Sequence, residues 1–326
     1  MSDPERDTNP GFVSGLGTSE PALLIYIPTY NRPLALRRQL DALSAQRGDW
    51  PGTIRVLVSD NASPKWPNGE AQTLAAEYGI EVRRNGANIH GNANIALGFV
   101  FARREEYLWI LSDDDTVGGG ALKAIACEGL SGDPDAIALD SRVAEPATTV
   151  REWREGWSVV GEANLISNVI YKVASFADQS PQAFYYHNTS FPHLAVILAT
   201  LRERGSLSIR VLPRGQVFLP QVLHQEEGGD YSLSLSGMPQ LALLLSHDEA
   251  RRFCRLWLHD QGNGFIRYRS FHPEAHLASR AVLIRFLGIE GRIRLLWLAM
   301  RAPLAEVAPE PLKRWLRRLR GRPTLQ

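Results

Sequence analysis

Residues 22–27 read Ala-Leu-Leu-Ile-Tyr-Ile, and the run stops at Pro28-Thr29-Tyr30-Asn31-Arg32-Pro33. A short apolar run bounded by turn residues predicts a buried strand. Pro33 suits the first turn of a helix, and Leu34, Leu36, Leu40 and Leu43 follow at near-helical spacing, with Arg37, Arg38 and Asp41 between them. The alternation then repeats. A strand is predicted over 53–59, ending at Asp60-Asn61-Ala62-Ser63-Pro64, followed by a helix over 70–78 and a short strand over 80–84. The polar loop Asn85-Gly86-Ala87-Asn88-Ile89-His90-Gly91-Asn92 opens a helix over 93–103. A further apolar run, Tyr107 to Leu111, ends in Ser112-Asp113-Asp114-Asp115 and then, after Thr116-Val117, in three glycines. Strands alternating with helices predict an α/β unit with a mostly parallel sheet, whose ligands bind beyond the carboxyl ends of the strands. Tyr30-Asn31, Asp60 and the three aspartates all fall at predicted carboxyl ends.

The second half is less regular. A helix is expected over 194–204, and a strand ending near Leu219-Pro220, with Gln221 to Leu223 behind it. The polar, glycine-containing stretch His224-Gln225-Glu226-Glu227-Gly228-Gly229-Asp230-Tyr231-Ser232 suits a loop that closes over a ligand. From Met238 the pattern is helical, breaking at Asn263-Gly264, with helices expected over 275–287 and 289–300 and a last one after Pro311.

Composition changes this picture in three places. The net charge of +1 is unevenly spread, because arginines dominate from Arg267 onward. Lys313, Arg314, Arg317 and Arg318 share the last predicted helix with Trp315, Leu316 and Leu319. Such a helix suits an anionic membrane surface, and equally suits packing on the catalytic domain or a second copy of the chain. No nucleic-acid-binding module accompanies it. Cys127 and Cys254 lie far apart in apolar, helix-like settings, so they read as buried free thiols without zinc-ligand spacing. Residues 1–20 are polar, lack the apolar core of a signal peptide and are expected to be disordered. No apolar run approaches the length of a membrane span, and the chain reads as cytoplasmic.

Three adjacent carboxylates at a strand end repel one another and need a cation, hydroxyls or backbone N–H groups to meet them. Oxygen-only ligands favour Mg²⁺ or Mn²⁺ shared with a phosphate. A solvated acidic loop capping the helix that begins near Gly120 is the bland alternative.

Pro-Thr-Tyr-Asn-Arg at 28–32, Asp60-Asn61-Ala62-Ser63, Asn88 to Leu97 and Ser112 to Asp115 together resemble the signatures of family 2 glycosyltransferases, in the same order. The resemblance is firm over 23–141 and looser over 164–223. It implies a GT-A fold: a Rossmann-like mixed sheet flanked by helices over 21–236, followed here by a helical, basic region over 237–326. It also implies sugar transfer from a nucleotide-diphosphate donor (UDP first, with dTDP or GDP as alternatives), usually with inversion. The acceptor would be a saccharide or lipid-linked saccharide at the inner face of the cell membrane, as in surface-polysaccharide biosynthesis.

By that resemblance Pro28, Thr29, Tyr30 and Arg32 line the nucleotide pocket, and Asp60 accepts a hydrogen bond from the base. An Asx-turn organising residues 61–64 is the structural alternative for Asp60. Asn88, Gly91 and Asn92 put small and polar groups at a helix N-terminus, which suits an anion or ribose; Asn92 alternatively caps that helix. Two registers of the acidic signature stay open. In one, Asp114 is the principal metal ligand, Asp113 faces the ribose or sugar and Asp115 supports the metal or a turn. In the other, Asp113 and Asp115 form the pair. His224 is a further candidate metal ligand, or else part of a solvated ion pair with its glutamates. An inverting transfer needs a general base, and the family's usual acidic pair is missing. His193 is the first candidate because imidazole titrates near neutral pH, although a backbone-bonded helix-start histidine fits equally well. Asp178 is the second.

Two other functions share parts of this pattern. A sugar nucleotidyltransferase would need a glycine-rich, basic phosphate loop after the first strand, which 28–33 is not. A catalytically silent sugar-binding or scaffold protein would account for the unclear base.

Overall fold

The computed structural model describes residues 21–307 except 67–68, 157–158, 160–162, 164, 220–235 and 268–270, and side chains are described up to residue 300 apart from that of Arg267. The expected disordered tail, the loop containing His224 and the helix after Pro311 lie outside the described residues.

The first half follows the hydrophobic pattern. Strands β1 (Leu23–Thr29), β2 (Ile54–Asp60), β3 (Glu81–Arg84) and β4 (Tyr107–Ile110) are parallel, and helices α1 (Pro33–Ser44), α2 (Glu70–Tyr78) and α3 (Gly91–Phe101) connect them. Pro33 occupies the first helical turn of α1, as its missing N–H allows. Among the described residues eight strands form one sheet in the order β3-β2-β1-β4-β7-β5-β8-β6. Strand β7 (Val169–Lys172) is antiparallel to both β4 and β5 (Ala136–Asp140). Strand β8 (Ser206–Pro213) pairs parallel with β5, and β6 (Ala147–Glu152) closes the edge antiparallel to β8.

Because β1 is covered on both faces, its apolar run is continuous rather than alternating. Leu23, Ile25 and Ile27 join Leu36, Leu40 and Leu43 of α1 and Leu74 of α2 in one core. Leu24 and Tyr26 join the opposite core with Ala96 of α3 and Leu194 to Leu198 of α4 (Pro192–Arg204). Helix α3 lies tight on the sheet: a Cβ on Gly98 would meet the Tyr26 ring at 2.9 Å and the Ile110 side chain at 3.2 Å. The helices α5 (His247–Arg267), α6 (Pro273–Leu287) and α7 (Ile289–Val307) follow. Phe253, Cys254, Trp257 and Phe265 of α5 belong to the same core as α3 and α4. Among the described residues no helix is long and apolar enough to cross a membrane.

Four expectations are corrected. The strand expected to end over 219–223 runs partly outside the described residues; the described strand ends at Pro213, and Phe218 makes an isolated antiparallel bridge to Val117. Helix α3 starts at Gly91, two residues before the expected Ala93, so Asn92 lies inside it and caps nothing. Helix α5 runs through Asn263-Gly264, where Gly262 packs against α7; a Cβ there would meet Leu298 at 2.7 Å. Of the two free cysteines, Cys254 is buried but Cys127 is exposed.

Candidate active site

The carboxyl ends of β1, β2 and β4 lie side by side, since Thr29 pairs with Asp60 and Tyr26 with Ile110. Beyond them opens a cleft of about 450 Å³. Pro28, Thr29, Tyr30 and Arg32 line it from the first loop, Asn61 from the second, and Gly91, Asn92 and Asn94 from the start of α3. Ser112 and Asp113 form its floor, and Ile166, Ser190 and His272 face it from the second half of the chain.

The chain turns directly after Leu111, and that turn decides where the aspartates go. Ser112 N–H donates to Ser167 Oγ at 2.8 Å, which fixes the start of the turn. Asp113 is buried, with Oδ2 accepting from Thr29 Oγ1 at 2.6 Å and Oδ1 from Arg32 Nη1 at 2.9 Å. The same Arg32 nitrogen donates to Asp114 Oδ2 at 2.8 Å, and Asp114 also accepts from the Ser112 hydroxyl. Asp115 points elsewhere, to Arg214 Nη2 at 3.1 Å, and Arg214 is itself held by Asn168 Oδ1 at 3.1 Å. Asp113 and Asp114 therefore converge and Asp115 does not. Strand alternation, which would pair 113 with 115, fails because the backbone has left the strand. Burial pushes the Asp113 carboxyl up to about 6, although Arg32 and Thr29 both favour its charged form.

Asp60 is fully buried; its carboxylate accepts from Ser63 N–H at 3.1 Å and from the Ser63 hydroxyl, and forms an ion pair with Arg84 Nη1 at 3.3 Å. This is the turn-organising role; Asn61, rather than Asp60, faces the cleft. Asn88 stands behind Asn61, accepting from its amide at 2.8 Å and from His90 N–H at 2.9 Å. Asn94, in the same small and polar stretch at the start of α3, ties the edge together. Its Oδ1 accepts from Ser59 Oγ at 2.6 Å, its Nδ2 donates to Ser59 O at 2.9 Å, and its backbone carbonyl accepts from Tyr26 OH at 2.7 Å. These bonds set the N-terminus of α3, with its unpaired N–H groups and positive dipole end, against the cleft.

Neither expected base is in the cleft. His193 is 0% exposed in the first turn of α4, with Nε2 bonded to Ala163 O at 3.0 Å, so the burial of α4 takes the imidazole with it. Asp178 is exposed just past β7, and β7 ends beside Tyr107, the amino end of β4. The sheet thus separates Asp178 from the acidic turn. Among the described residues the imidazoles on the cleft wall belong to His90, in a left-handed backbone conformation before α3, and His272, immediately before α6. The His272-Pro273 dipeptide marks a helix start in the sequence, but nothing there shows which cavity the helix would adjoin.

Among the described residues no cluster of three or more His, Cys, Asp or Glu forms a metal centre. Two carboxylates facing one point do suit Mg²⁺ or Mn²⁺, which bind through one or two carboxylates, substrate phosphates and water. The donor set fits such an ion, which Asp113 and Asp114 would hold.

A family model for glycosyl transferase family 2 matches residues 24–191, more than half of the chain. Among solved structures, S. aureus TarS 1–349 superposes with a TM-score of 0.58 at 13% identity, covering 86% of this chain and 90% of that one. The same TarS fragment in complex with UDP-GlcNAc gives 0.53 at 13% identity with the same coverage. A longer TarS structure gives 0.55, with 54% of that chain covered. At this identity the superpositions show a shared fold. No curated protein matches the chain. The matched model ends at the start of α4 and takes in every loop that supplies the acidic turn's partners from β1 to α3; the chain belongs to glycosyl transferase family 2 and is a glycosyltransferase of GT-A fold.

Proposed function

We propose that this glycosyltransferase moves a sugar, with inversion, from a nucleotide-diphosphate donor to a saccharide or lipid-linked saccharide acceptor. UDP is the favoured nucleotide, with dTDP or GDP as alternatives. The observation that carries the reading is the convergence of Thr29, Arg32, Asp113 and Asp114 at the carboxyl edge of β1 and β4. A diphosphate lying there meets the Arg32 guanidinium and the N–H groups at the start of α3. Tyr30 and Asn61 line the nucleoside side, with Asp60 and Arg84 fixing the turn that presents Asn61. Mn²⁺ or Mg²⁺ held by Asp113 and Asp114 would neutralise charge on the departing nucleoside diphosphate. His272 approaches from the helical region and is the group we assign to take the acceptor's proton, since it faces the cleft that His193 and Asp178 do not. The TarS complex with UDP-GlcNAc supports a UDP-sugar donor by analogy of fold.

A role at the cytoplasmic membrane face, in surface-polysaccharide assembly, is favoured by α7. Ile289, Ile293, Leu296, Trp297 and Met300 are exposed along that helix, and Arg292 and Arg294 share it. That pattern suits partial immersion beside anionic headgroups. Binding of the intact chain to anionic liposomes that is lost when Ile293, Leu296 and Trp297 are replaced with serine supports this role, and absence of binding by the intact chain removes it. The transferase reading is tested by incubating the protein with UDP-, dTDP- and GDP-sugars, saccharide acceptors and Mn²⁺ or Mg²⁺. Acceptor-dependent release of one nucleoside diphosphate, with the product anomer inverted by NMR, is expected. Release from no donor would overturn the reading, and a retained anomer would overturn the inversion.

A further inference from the structure

Arg32 stands where a cation between Asp113 and Asp114 would stand. One nitrogen, Nη1, lies 2.9 Å from Asp113 Oδ1 and 2.8 Å from Asp114 Oδ2, so a single positive group bridges both carboxylates. The Arg32 side chain is 25% exposed at the mouth of the cleft, whereas the Asp113 side chain beneath it is 4% exposed. A divalent ion draws carboxylate oxygens to about 2.0–2.2 Å. That leaves no room for a guanidinium nitrogen between the same two oxygens. Resting on the donor reading above, we propose that Arg32 is an exchangeable counter-ion: it holds the acidic turn together before the donor arrives, and the metal displaces it onto the donor's diphosphate.

The charges support an exchange rather than a static pair. Two carboxylates bridged by one guanidinium keep a net negative charge, which attracts a divalent ion. Once the ion neutralises them, the guanidinium has lost that attraction and lies at the cleft mouth as a planar, multi-donor cation suited to phosphate. Arg32 also heads α1, where Leu36 N–H donates to its carbonyl at 3.0 Å. The backbone is thereby anchored, and a change of partner needs only rotation about the side chain's own bonds. Metal and donor must then assist each other: the metal alone has to evict Arg32, and the diphosphate alone finds Arg32 occupied. Such coupling is reciprocal by linkage.

The test measures Mn²⁺ binding by the intact protein from the free-ion electron paramagnetic resonance signal, without nucleotide and with saturating UDP, in wild type, Arg32→Gln and Arg32→Lys. Arg32→Gln is expected to bind Mn²⁺ alone about tenfold more tightly than wild type, within the range of ordinary couplings, and UDP more weakly. The assistance that UDP gives to Mn²⁺ should shrink in that variant. Arg32→Lys keeps a cation against the two carboxylates, so it tests the same prediction if Arg32→Gln fails to fold; its Mn²⁺ affinity should lie between the other two. Mn²⁺ affinity unchanged or weakened in whichever variants fold overturns the exchange while leaving the transferase reading intact. Absence of Mn²⁺ binding by every protein, with and without UDP, overturns both the exchange and the metal part of that reading.

Discussion

Replacing Asp113 with asparagine separates stability from function at the centre of the site. The carboxyl is buried, bonded to Thr29 and Arg32, and still pushed up to about 6 from its ordinary 3.8, because desolvation outweighs both partners. That displacement corresponds to about 3 kcal/mol between folded and unfolded states. Its sign follows from linkage: a raised acid contributes stability that is full below its unfolded value and is lost as pH rises through about 6. At about pH 7.5 the wild-type fold therefore carries most of that cost. D113N removes the charge and one charge-assisted hydrogen bond, the latter worth about 1.5 kcal/mol. In metal-free buffer without nucleotide, the variant should be more stable than wild type by about 1–2 kcal/mol near pH 7.5. Below about pH 4.5 the advantage should vanish or reverse, as wild-type Asp113 takes up its proton. Urea unfolding at both pH values, with linear extrapolation, reads the difference. Nucleotide binding in the presence of Mn²⁺ should be lost in the same variant. A D113N protein that is less stable than wild type by the same amount at both pH values would refute the reasoning.

Four other substitutions test the site and its supports. Arg214→Ala removes the guanidinium from Asp115, which is 6% exposed, and should cost about 3 kcal/mol in urea unfolding, partly restored by adding Asp115→Asn. His272→Ala should lower kcat by about 100-fold or more with KM for the donor little changed. His193→Ala should instead lower the Tm and leave kcat of the folded fraction near wild type, because His193 is sealed in the core. Gly98→Val forces branched atoms against Tyr26 and Ile110, should cost about 1–3 kcal/mol, and should weaken donor binding by shifting the start of α3.

The first half of the fold was legible because β1, β2 and β4 are largely buried and each ends in a polar cluster. The runs at 22–27 and 107–111 and the proline at 33 carried that information locally. Strands β5 to β7 were not read, and β8 ends earlier than the strand expected there. Val169–Lys172 is only four residues, and Ala147–Glu152 is an exposed edge whose apolar positions are few. In the site, Asp113, Asp114, Thr29 and Arg32 were legible as strand-end residues, whereas their mutual geometry was set by a turn that residue spacing does not encode. His193 misled for a plain reason. A histidine at a helix start looks the same in sequence whether its helix face meets a cleft or a core, and α4 is buried through residue 201. His272 was missed because its approach to the cleft depends on how α6 packs, a long-range contact.

The account's central claim is that the acidic turn binds a nucleoside diphosphate together with a divalent cation. Equilibrium titration of UDP, GDP, CDP and dTDP with and without Mn²⁺ tests it most directly, with Asp114→Asn alongside the wild type. One nucleotide, UDP by this account, should bind the wild type at least about tenfold more tightly with Mn²⁺, and Asp114→Asn should abolish that enhancement. If none of the four binds more tightly with Mn²⁺, or if Asp114→Asn keeps the full enhancement, the claim is contradicted.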